Sequence, residues 1–272
     1  MPGVDAILGY VAWVTLAAFI VLYLRLRQQG LHHVYRVFAA FVLFRAVRDL
    51  ALVALPALWY GLHHLPYVRL ANNVYAWTWF VAEPPMWILH VLVVLELYSL
   101  VLQNYKGIAS TGRWAVLAGL TVAVVLSCAT LPAEMSHSAE HYTLLRWAFM
   151  ASRGVHASLV IFLLFITAFL AWFPVPLNRN VVLYSMVYAL YFITDTLTQM
   201  AYNLLGLGGR DAVDCTHDGV ELLCLGVWIV FLNRAGEAKP VVVGHAWTAQ
   251  HEEELMGQLA AINTSLTRSA RK

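Results

Sequence analysis

Long apolar runs separated by short polar connections fill most of the chain up to about residue 232. An α-helix rises 1.5 Å per residue, so about 20 apolar residues are enough to cross the hydrocarbon layer of a membrane. Seven runs have approximately this length or more, and each one predicts a membrane-spanning helix. The runs are Ala6–Leu24, Val37–Trp59, Val74–Leu102, Trp114–Leu131, Trp147–Phe173, Val181–Leu205 and Val213–Leu232.

The pattern changes after residue 233, where residues 234–247 indicate a linker and residues 248–272 predict a soluble helix. Four apolar residues of this helix repeat at intervals of four, three and four, which is the spacing of a coiled-coil seam. They are Leu255, Leu259, Ile262 and Leu266. Acidic residues precede the seam and basic residues follow it, which complements the helix dipole. We expect this amphipathic helix to pair in a homodimer, to lie on the membrane surface or to bind a cytoplasmic partner protein.

The composition is that of a membrane protein, since 61% of the residues are hydrophobic and only 12% are charged. The net charge of +2 is small and the basic residues are dispersed, which excludes nucleic acid as a partner. Cys128, Cys215 and Cys224 are too few and too scattered for a disulfide framework or a zinc site. Residues 1–233 are therefore predicted to form an all-α integral membrane domain of seven helices.

Basic residues near the ends of the runs predict the orientation, because Lys and Arg are retained on the cytoplasmic side. One set of connections carries most of them, while the other set carries Arg69 and Arg210. The first set contains Arg25, Arg27, Arg36, Lys106, Arg113, Arg179, Arg234 and Lys239. Seven crossings then place the N-terminus outside and the C-terminus in the cytoplasm. The expected location is a plasma or inner membrane, with membrane lipid around the bundle.

Charged residues occur inside several apolar runs, and the segment VLFRAVRDLALV at residues 42–53 contains three of them. Counting from the ends of the runs places one group near the membrane midplane, namely Arg48, Asp49, His90, Asp195, Asp218 and Glu221. Glu83, Arg153 and His156 are expected nearer the outer side. Ionisable groups at such depths are costly unless they face one another or a water-filled cavity. All of them are therefore predicted to point into the bundle.

Helical spacing supports a shared polar interior, because residues three, four or seven positions apart lie on one face of a helix. The second, third, fifth, sixth and seventh runs each carry polar residues at such spacings. Together they predict a ligand-binding site formed by Arg45, Arg48, Asp49, Glu83, His90, Arg153, His156, Tyr191, Asp195, Gln199, Asp218 and Glu221. Glu96 lies on a different face of its run and is expected to make a separate contact.

Two interpretations of these charges compete. In the structural one, Arg48 and Asp49 neutralise Asp195, Asp218 or Glu221, and the ion pairs hold the helices in register. In the functional one, the charges line a cavity that takes up a polar ligand, protons or ions. The number of ionisable residues favours the functional interpretation, since one ion pair would suffice for packing.

Two prolines follow Glu83 directly and are expected to distort the outer end of the third span, because proline lacks the backbone N–H. One interpretation places an exposed Glu83 at the mouth of a cavity, where neighbouring helices or water satisfy the freed carbonyls. The other interpretation is a plain kink.

No cofactor is favoured by the sequence. A retinal protein needs a Schiff-base lysine in a span, whereas Lys106, Lys239 and Lys272 all lie outside the runs. A divalent metal at Asp214, His217 and Glu221, or a haem held by His90 and His156, is a weaker alternative. No nucleophile motif or phosphate-binding loop is present, so catalysis is not favoured.

The favoured function is a sensor or receptor that binds a small polar ligand in the charged interior and signals through its cytoplasmic helix. The arrangement resembles that of seven-helix receptors in span number and orientation. A small-solute or proton-coupled transporter is the alternative, because midplane charges also suit coupling. A membrane-embedded metal-dependent hydrolase is third.

Overall fold

A computed structural model describes residues 2–63, 67–103, 105, 114, 121, 143–172, 176–205, 210–242 and 249–269. Almost all of these residues are helical, as the apolar runs predict. The helices are α1 (Pro2–Gln28), α2 (Arg36–His63), α3 (Tyr67–Val101), α4 (Thr143–Trp172), α5 (Arg179–Leu205), α6 (Arg210–Phe231), α7 (Arg234–Glu237) and α8 (Ala249–Ser269). A single 3-10 turn at Leu31–His33 lies between α1 and α2.

Helices α1 to α6 coincide with six of the predicted spans. The remaining span, Trp114–Leu131, lies outside the described residues except at residues 114 and 121. Within the part of the chain that the structure describes, three helical segments are long and apolar enough to cross a membrane. They are Tyr10–Gln28, Val74–Val101 and Arg179–Thr198. These segments agree with an all-α membrane protein.

An aromatic cluster packs α2, α5 and α6 together in the interior. The Phe38 ring centroid lies 4.9 Å from that of Tyr184 and 5.0 Å from that of Trp228. The Tyr188 ring contacts the same Trp228 ring at 5.0 Å. Aromatic pairs at such distances contribute about 0.5–1.5 kcal/mol each beyond the area that they bury. The cluster therefore fixes three helices that carry predicted site residues.

Large apolar side chains also cover the outer surface of the helices. Val81, Leu223 and Val230 are each 59% exposed or more. Soluble monomers rarely expose extensive apolar patches, whereas helices surrounded by lipid do so without penalty. Large apolar side chains thus lie on the outside of the bundle as well as in its core.

Glu96 on α3 caps the first turn of α2. Its two carboxylate oxygens accept the backbone N–H groups of Val37, at 2.8 Å, and Phe38, at 3.0 Å. The first N–H groups of a helix have no partner within that helix, and they attract negative charge. This is the separate contact that the sequence predicts for Glu96, and it fixes the start of α2 against α3.

A polar junction at Glu237 joins the start of α2, the start of α5 and the segment after α6. The Glu237 carboxylate accepts hydrogen bonds from Tyr35 Oη, at 2.5 Å, and from the side-chain amides of Asn180, at 2.7 Å, and Asn178, at 3.2 Å. Burial, together with the adjacent Glu237 carboxylate, raises the pKa of Tyr35 well above its usual value. A Cβ at Gly236 would collide with the Asn180 side chain, so a larger residue there would push Asn180 away from its hydrogen bonds to Asn233 and Glu237.

The segment 234–247, which the sequence indicates as a linker, contains regular structure. Besides α7, it forms strand β2 (Pro240–Val242), which pairs antiparallel with strand β1 (Pro176–Asn178). Leu177 lies opposite Val241 in this pairing, and the Arg179 N–H donates to the Lys239 carbonyl at 3.0 Å. The connection after α6 is therefore anchored to the beginning of α5.

The C-terminal helix α8 packs part of its apolar face on the bundle. Leu255 and Leu259 are buried, and the Tyr105 hydroxyl donates to the Met256 sulfur at 3.8 Å. Ile262 is 47% exposed. Half of the predicted seam is thus used within the protein itself, and pairing through the complete seam would require α8 to leave the bundle.

Candidate functional site

Arg45 joins α2 to α6 through two ion pairs. Its Nε lies 3.2 Å from Asp49 Oδ2 on the same helix, and its Nη2 lies 2.9 Å from Glu221 Oε1. The Arg45 guanidinium also lies 5.6 Å from the ring centroid of Phe19 on α1, within range of a cation–π interaction. Asp49 and Glu221 therefore share one cation, which is Arg45 and not Arg48.

Arg48 joins α2 to α3. Its Nη2 lies 2.6 Å from Glu83 Oε1, and the two side chains are only 7% and 8% exposed. The structural interpretation of the sequence expected Asp195, Asp218 or Glu221 as the partner, so it predicted an ion pair here but not with Glu83. The interpretation that places an exposed Glu83 at the mouth of a cavity is wrong, because Glu83 is buried and α3 continues through both prolines that follow it.

A groove of about 520 Å³ lies beside this ion pair, between α2 and α3. Its walls include Val47, Trp77 and Val81, whose side chains are largely exposed on the outer surface. Arg48 supplies the charged part of the lining. The groove opens on the apolar exterior, so it is distinct from the interior cavity that the sequence predicted.

A chain of three side chains connects α5, α4 and α3. The His156 Nδ1 lies 2.6 Å from Asp195 Oδ2, and the His156 Nε2 lies 3.0 Å from His90 Nδ1. Both histidines are buried, with 4% and 3% of their surface exposed. Because the two rings are hydrogen-bonded to each other, the gap between them is too short for an iron ion that takes both nitrogens as ligands. The haem alternative does not fit this geometry.

A cluster on α6 consists of His217, Asp218 and Glu221, whose possible ligand atoms lie within 4.8 Å of one another. The Thr198 hydroxyl of α5 lies 3.4 Å from His217 Nδ1. A divalent cation at this cluster would meet the Arg45 guanidinium, which already pairs with Glu221. The arrangement therefore favours an ion pair over a metal centre. Asp214 lies one turn earlier on α6 and is partly exposed.

We call the ionisable groups that these contacts bring together on α2 to α6 the polar layer. It contains Arg45, Arg48, Asp49, Glu83, His90, His156, Asp195, His217, Asp218 and Glu221. Tyr191 lies beside it, with its ring centroid 5.9 Å from that of His90. The side chains of Arg153 on α4 and Gln199 on α5 lie outside the described part of the structure.

Two hydroxyl groups that contact the polar layer were missed from the sequence. The Ser152 hydroxyl lies 3.3 Å from His156 Nδ1, and Thr198 contacts His217. Each precedes or follows a predicted site residue by one helical turn, since Ser152 is four positions before His156 and Thr198 three positions after Asp195. That spacing was the available signal, but serine and threonine are common in helices and did not stand out.

Comparison of the chain with protein-family models, with curated proteins and with solved structures gives no match.

Proposed function

We propose that the chain is a receptor-like membrane protein with seven spans, an outer N-terminus and a cytoplasmic C-terminus. Six helices at predicted positions and the one-sided distribution of Lys and Arg support this arrangement. The fourth span is proposed at Trp114–Leu131 from its apolar run. The protein then lies in a plasma or inner membrane, with lipid on its apolar exterior.

The polar layer is the proposed site for a small polar ligand. Two of its buried atoms, Arg48 Nε and His90 Nε2, have no hydrogen-bond partner among the described residues. Buried polar groups are normally hydrogen-bonded, because leaving one unpaired costs about 1–3 kcal/mol. A ligand that hydrogen-bonds to these atoms removes that cost. This observation carries the proposal.

Helix α8 is the proposed output element. Met256 and Leu259 hold it against the bundle, and the contact of Met256 is with Tyr105, four residues after the end of α3. The same α3 carries Glu83 and His90, so a shift of this helix on ligand binding is transmitted to α8. The exposed second half of α8 is then available to a second copy of the chain or to a cytoplasmic protein.

The substitution Arg48→Lys tests the ligand site, because lysine keeps a positive charge beside Glu83 but lacks the Nε donor and the planar guanidinium. A panel of small organic acids, amides and amines is screened for compounds that raise the Tm of the wild-type protein in detergent. A compound present at a hundred times its Kd stabilises the folded state by about 2.7 kcal/mol. We expect Arg48→Lys to remain folded and to lose this stabilisation.

The matched control is Arg27→Lys, which changes an exposed arginine outside the polar layer and should keep the full shift in Tm. An equal shift in Arg48→Lys would place the ligand elsewhere. Accumulation of a stabilising compound inside proteoliposomes would indicate the transporter instead of the receptor.

A further inference from the structure

The chain formed by Asp195, His156 and His90 has the geometry of a proton relay. Its hydrogen bonds of 2.6 Å and 3.0 Å link three helices in series, and the far nitrogen of its last member, His90 Nε2, is buried without a partner among the described residues. Linked acid and imidazole groups inside membranes are a recurrent means of moving protons. We propose that the polar layer binds a transferable proton through this chain, whichever small molecule it also binds.

The donors and acceptors of the chain follow from the carboxylate at its start. An ionised Asp195 only accepts hydrogen bonds, so His156 Nδ1 carries the proton that lies between them. A neutral His156 then has a lone pair on Nε2, and His90 must donate to it from Nδ1. The remaining nitrogen, His90 Nε2, is consequently an acceptor. Asp195 thus fixes the tautomers of both rings and leaves a basic atom at the end of the chain.

A proton from a hydronium ion enters the chain at this basic atom. A new N–H bond forms at His90 Nε2 and water is released, after which the N–H bond at His90 Nδ1 breaks and its proton passes to His156 Nε2. His90 returns to a neutral state with its proton on Nε2. His156 becomes an imidazolium that is paired with the Asp195 carboxylate. The positive charge therefore moves from α3 to the acidic partner on α5, and the reverse sequence releases it.

The charge of the polar layer favours such uptake. Its two arginines stand against five carboxyl groups, on Asp49, Glu83, Asp195, Asp218 and Glu221. When all five are ionised and the histidines are neutral, three negative charges are in excess. If the side chain of Arg153, which lies outside the described part of the structure, also belongs to this layer, two negative charges remain in excess. An excess of buried negative charge is costly in a medium of low dielectric constant, and binding protons reduces it.

The charged groups around the two rings come from three neighbouring helices. Arg45 and Arg48 of α2 repel a positive charge on His90. Asp195 of α5 attracts a positive charge on either ring, and Glu83 of α3 attracts one on His156. Phe41 and Phe192 lie against the His90 ring, each at 5.1 Å between centroids. The favourable location for the charge is therefore His156, next to Asp195.

Nitrogen NMR of the complete protein in lipid nanodiscs, with ¹⁵N-labelled histidine, tests the proposal. The rings are assigned from the signals lost in His90→Gln and His156→Gln. We expect the neutral His156 ring to carry its proton on Nδ1, and the two rings to titrate together as they bind one proton. Asp195→Asn should lower the proton affinity of the pair about tenfold or more and release the tautomer, because an amide can donate to the ring as well as accept from it.

The control is His251→Asn, which changes an exposed residue on α8 and should leave the signals of His90 and His156 unchanged. If Asp195→Asn does not fold, His90→Gln gives the same test from the other end, since His156 must then titrate alone with a changed midpoint. Independent titration of the two rings in the wild-type protein, a neutral His156 protonated on Nε2, or a His156 titration that is unaffected by His90→Gln would each overturn the proposal.

Discussion

At the scale of single residues, the ion pair between Arg48 and Glu83 explains how charges persist inside an apolar helix. Each side chain is buried, and each is neutralised by the other at 2.6 Å. Removing one member of a buried pair strands the other in a low-dielectric interior and costs about 3–5 kcal/mol, whereas removing both members is often close to neutral. The pair is therefore stabilising only while it is complete.

We expect Arg48→Met to lower the free energy of unfolding by about 3–5 kcal/mol, and Glu83→Gln in the same chain to restore most of it. The measurement is a double-mutant cycle on protein unfolded in mixed detergent micelles. Arg27→Met, which removes an exposed arginine, should change stability by less than about 0.5 kcal/mol. A double variant that is less stable than either single variant would show that the two residues do not act as a pair.

The sequence predicted that these charged side chains face inward, but it did not predict which of them form ion pairs with each other. Inward placement follows from the cost of exposing charge to lipid, and helical spacing then shows which residues share a face. The rotation of each helix about its own axis relative to its neighbours is set by packing between helices, and one amino-acid sequence does not show that packing. Arg48 was therefore expected beside Asp195, Asp218 or Glu221, whereas its partner is Glu83 on α3.

At the scale of secondary-structure elements, the capping of α2 by Glu96 replaces a cap that the chain does not supply locally. The first turn of α2 contains no acidic residue, and Glu96 reaches its N–H groups from α3. A side chain that satisfies a helix N-terminus contributes about 0.5–2 kcal/mol. The contact also prevents α2 from sliding along α3 without losing both hydrogen bonds.

We expect Glu96→Ala to destabilise the protein by about 1–2 kcal/mol and to increase hydrogen exchange at the Val37 and Phe38 amides specifically. Glu96→Gln should have an intermediate effect, because an amide oxygen accepts a weaker hydrogen bond than a carboxylate. The control is Ser99→Ala, at an exposed position three residues later on α3. Unchanged exchange at both amides in Glu96→Ala would contradict the capping role.

Helix positions were predictable because long apolar runs impose helices on any chain that enters a membrane. The ends of the helices were harder to predict. Helix α3 begins at Tyr67, seven residues before its predicted start at Val74. The apolar run begins later because Asn72 and Asn73 lower the hydropathy, although they do not break the helix. Strands β1 and β2 were missed. They are three residues long and exist through pairing between distant segments, which leaves no local periodicity.

At the scale of the whole molecule, the junction around Glu237 connects the start of α2, the start of α5 and the segment after α6. Three donors converge on this carboxylate, and one of them is the buried hydroxyl of Tyr35. An unfolded tyrosine loses its proton near pH 10, whereas burial and Glu237 raise the pKa of folded Tyr35 above that value. The folded state therefore holds this proton more tightly, and its contribution to stability is complete below about pH 10 and is lost at higher pH.

We expect Tyr35→Phe to lower the Tm near neutral pH, because it removes a hydrogen bond to a charged group that is worth about 1.5–3 kcal/mol. Between about pH 9 and about pH 11, its Tm should then decline less steeply than that of the wild-type protein. Tyr10→Phe is the control, since Tyr10 is 74% exposed and should not alter the slope. Parallel declines in wild type and Tyr35→Phe would contradict the assignment.

The ion pair between α2 and α3 also bears on how the protein is made. Segments leaving the ribosome enter the bilayer according to their hydrophobicity, and each Arg or Asp near the centre of a helix opposes entry by about 2.5–3.5 kcal/mol. α2 carries Arg45, Arg48 and Asp49, while Glu83 belongs to α3, which follows after a connection of only three residues. If α2 is a span, as proposed, we expect it to enter the bilayer together with α3 as a helical hairpin, once translation has delivered Glu83.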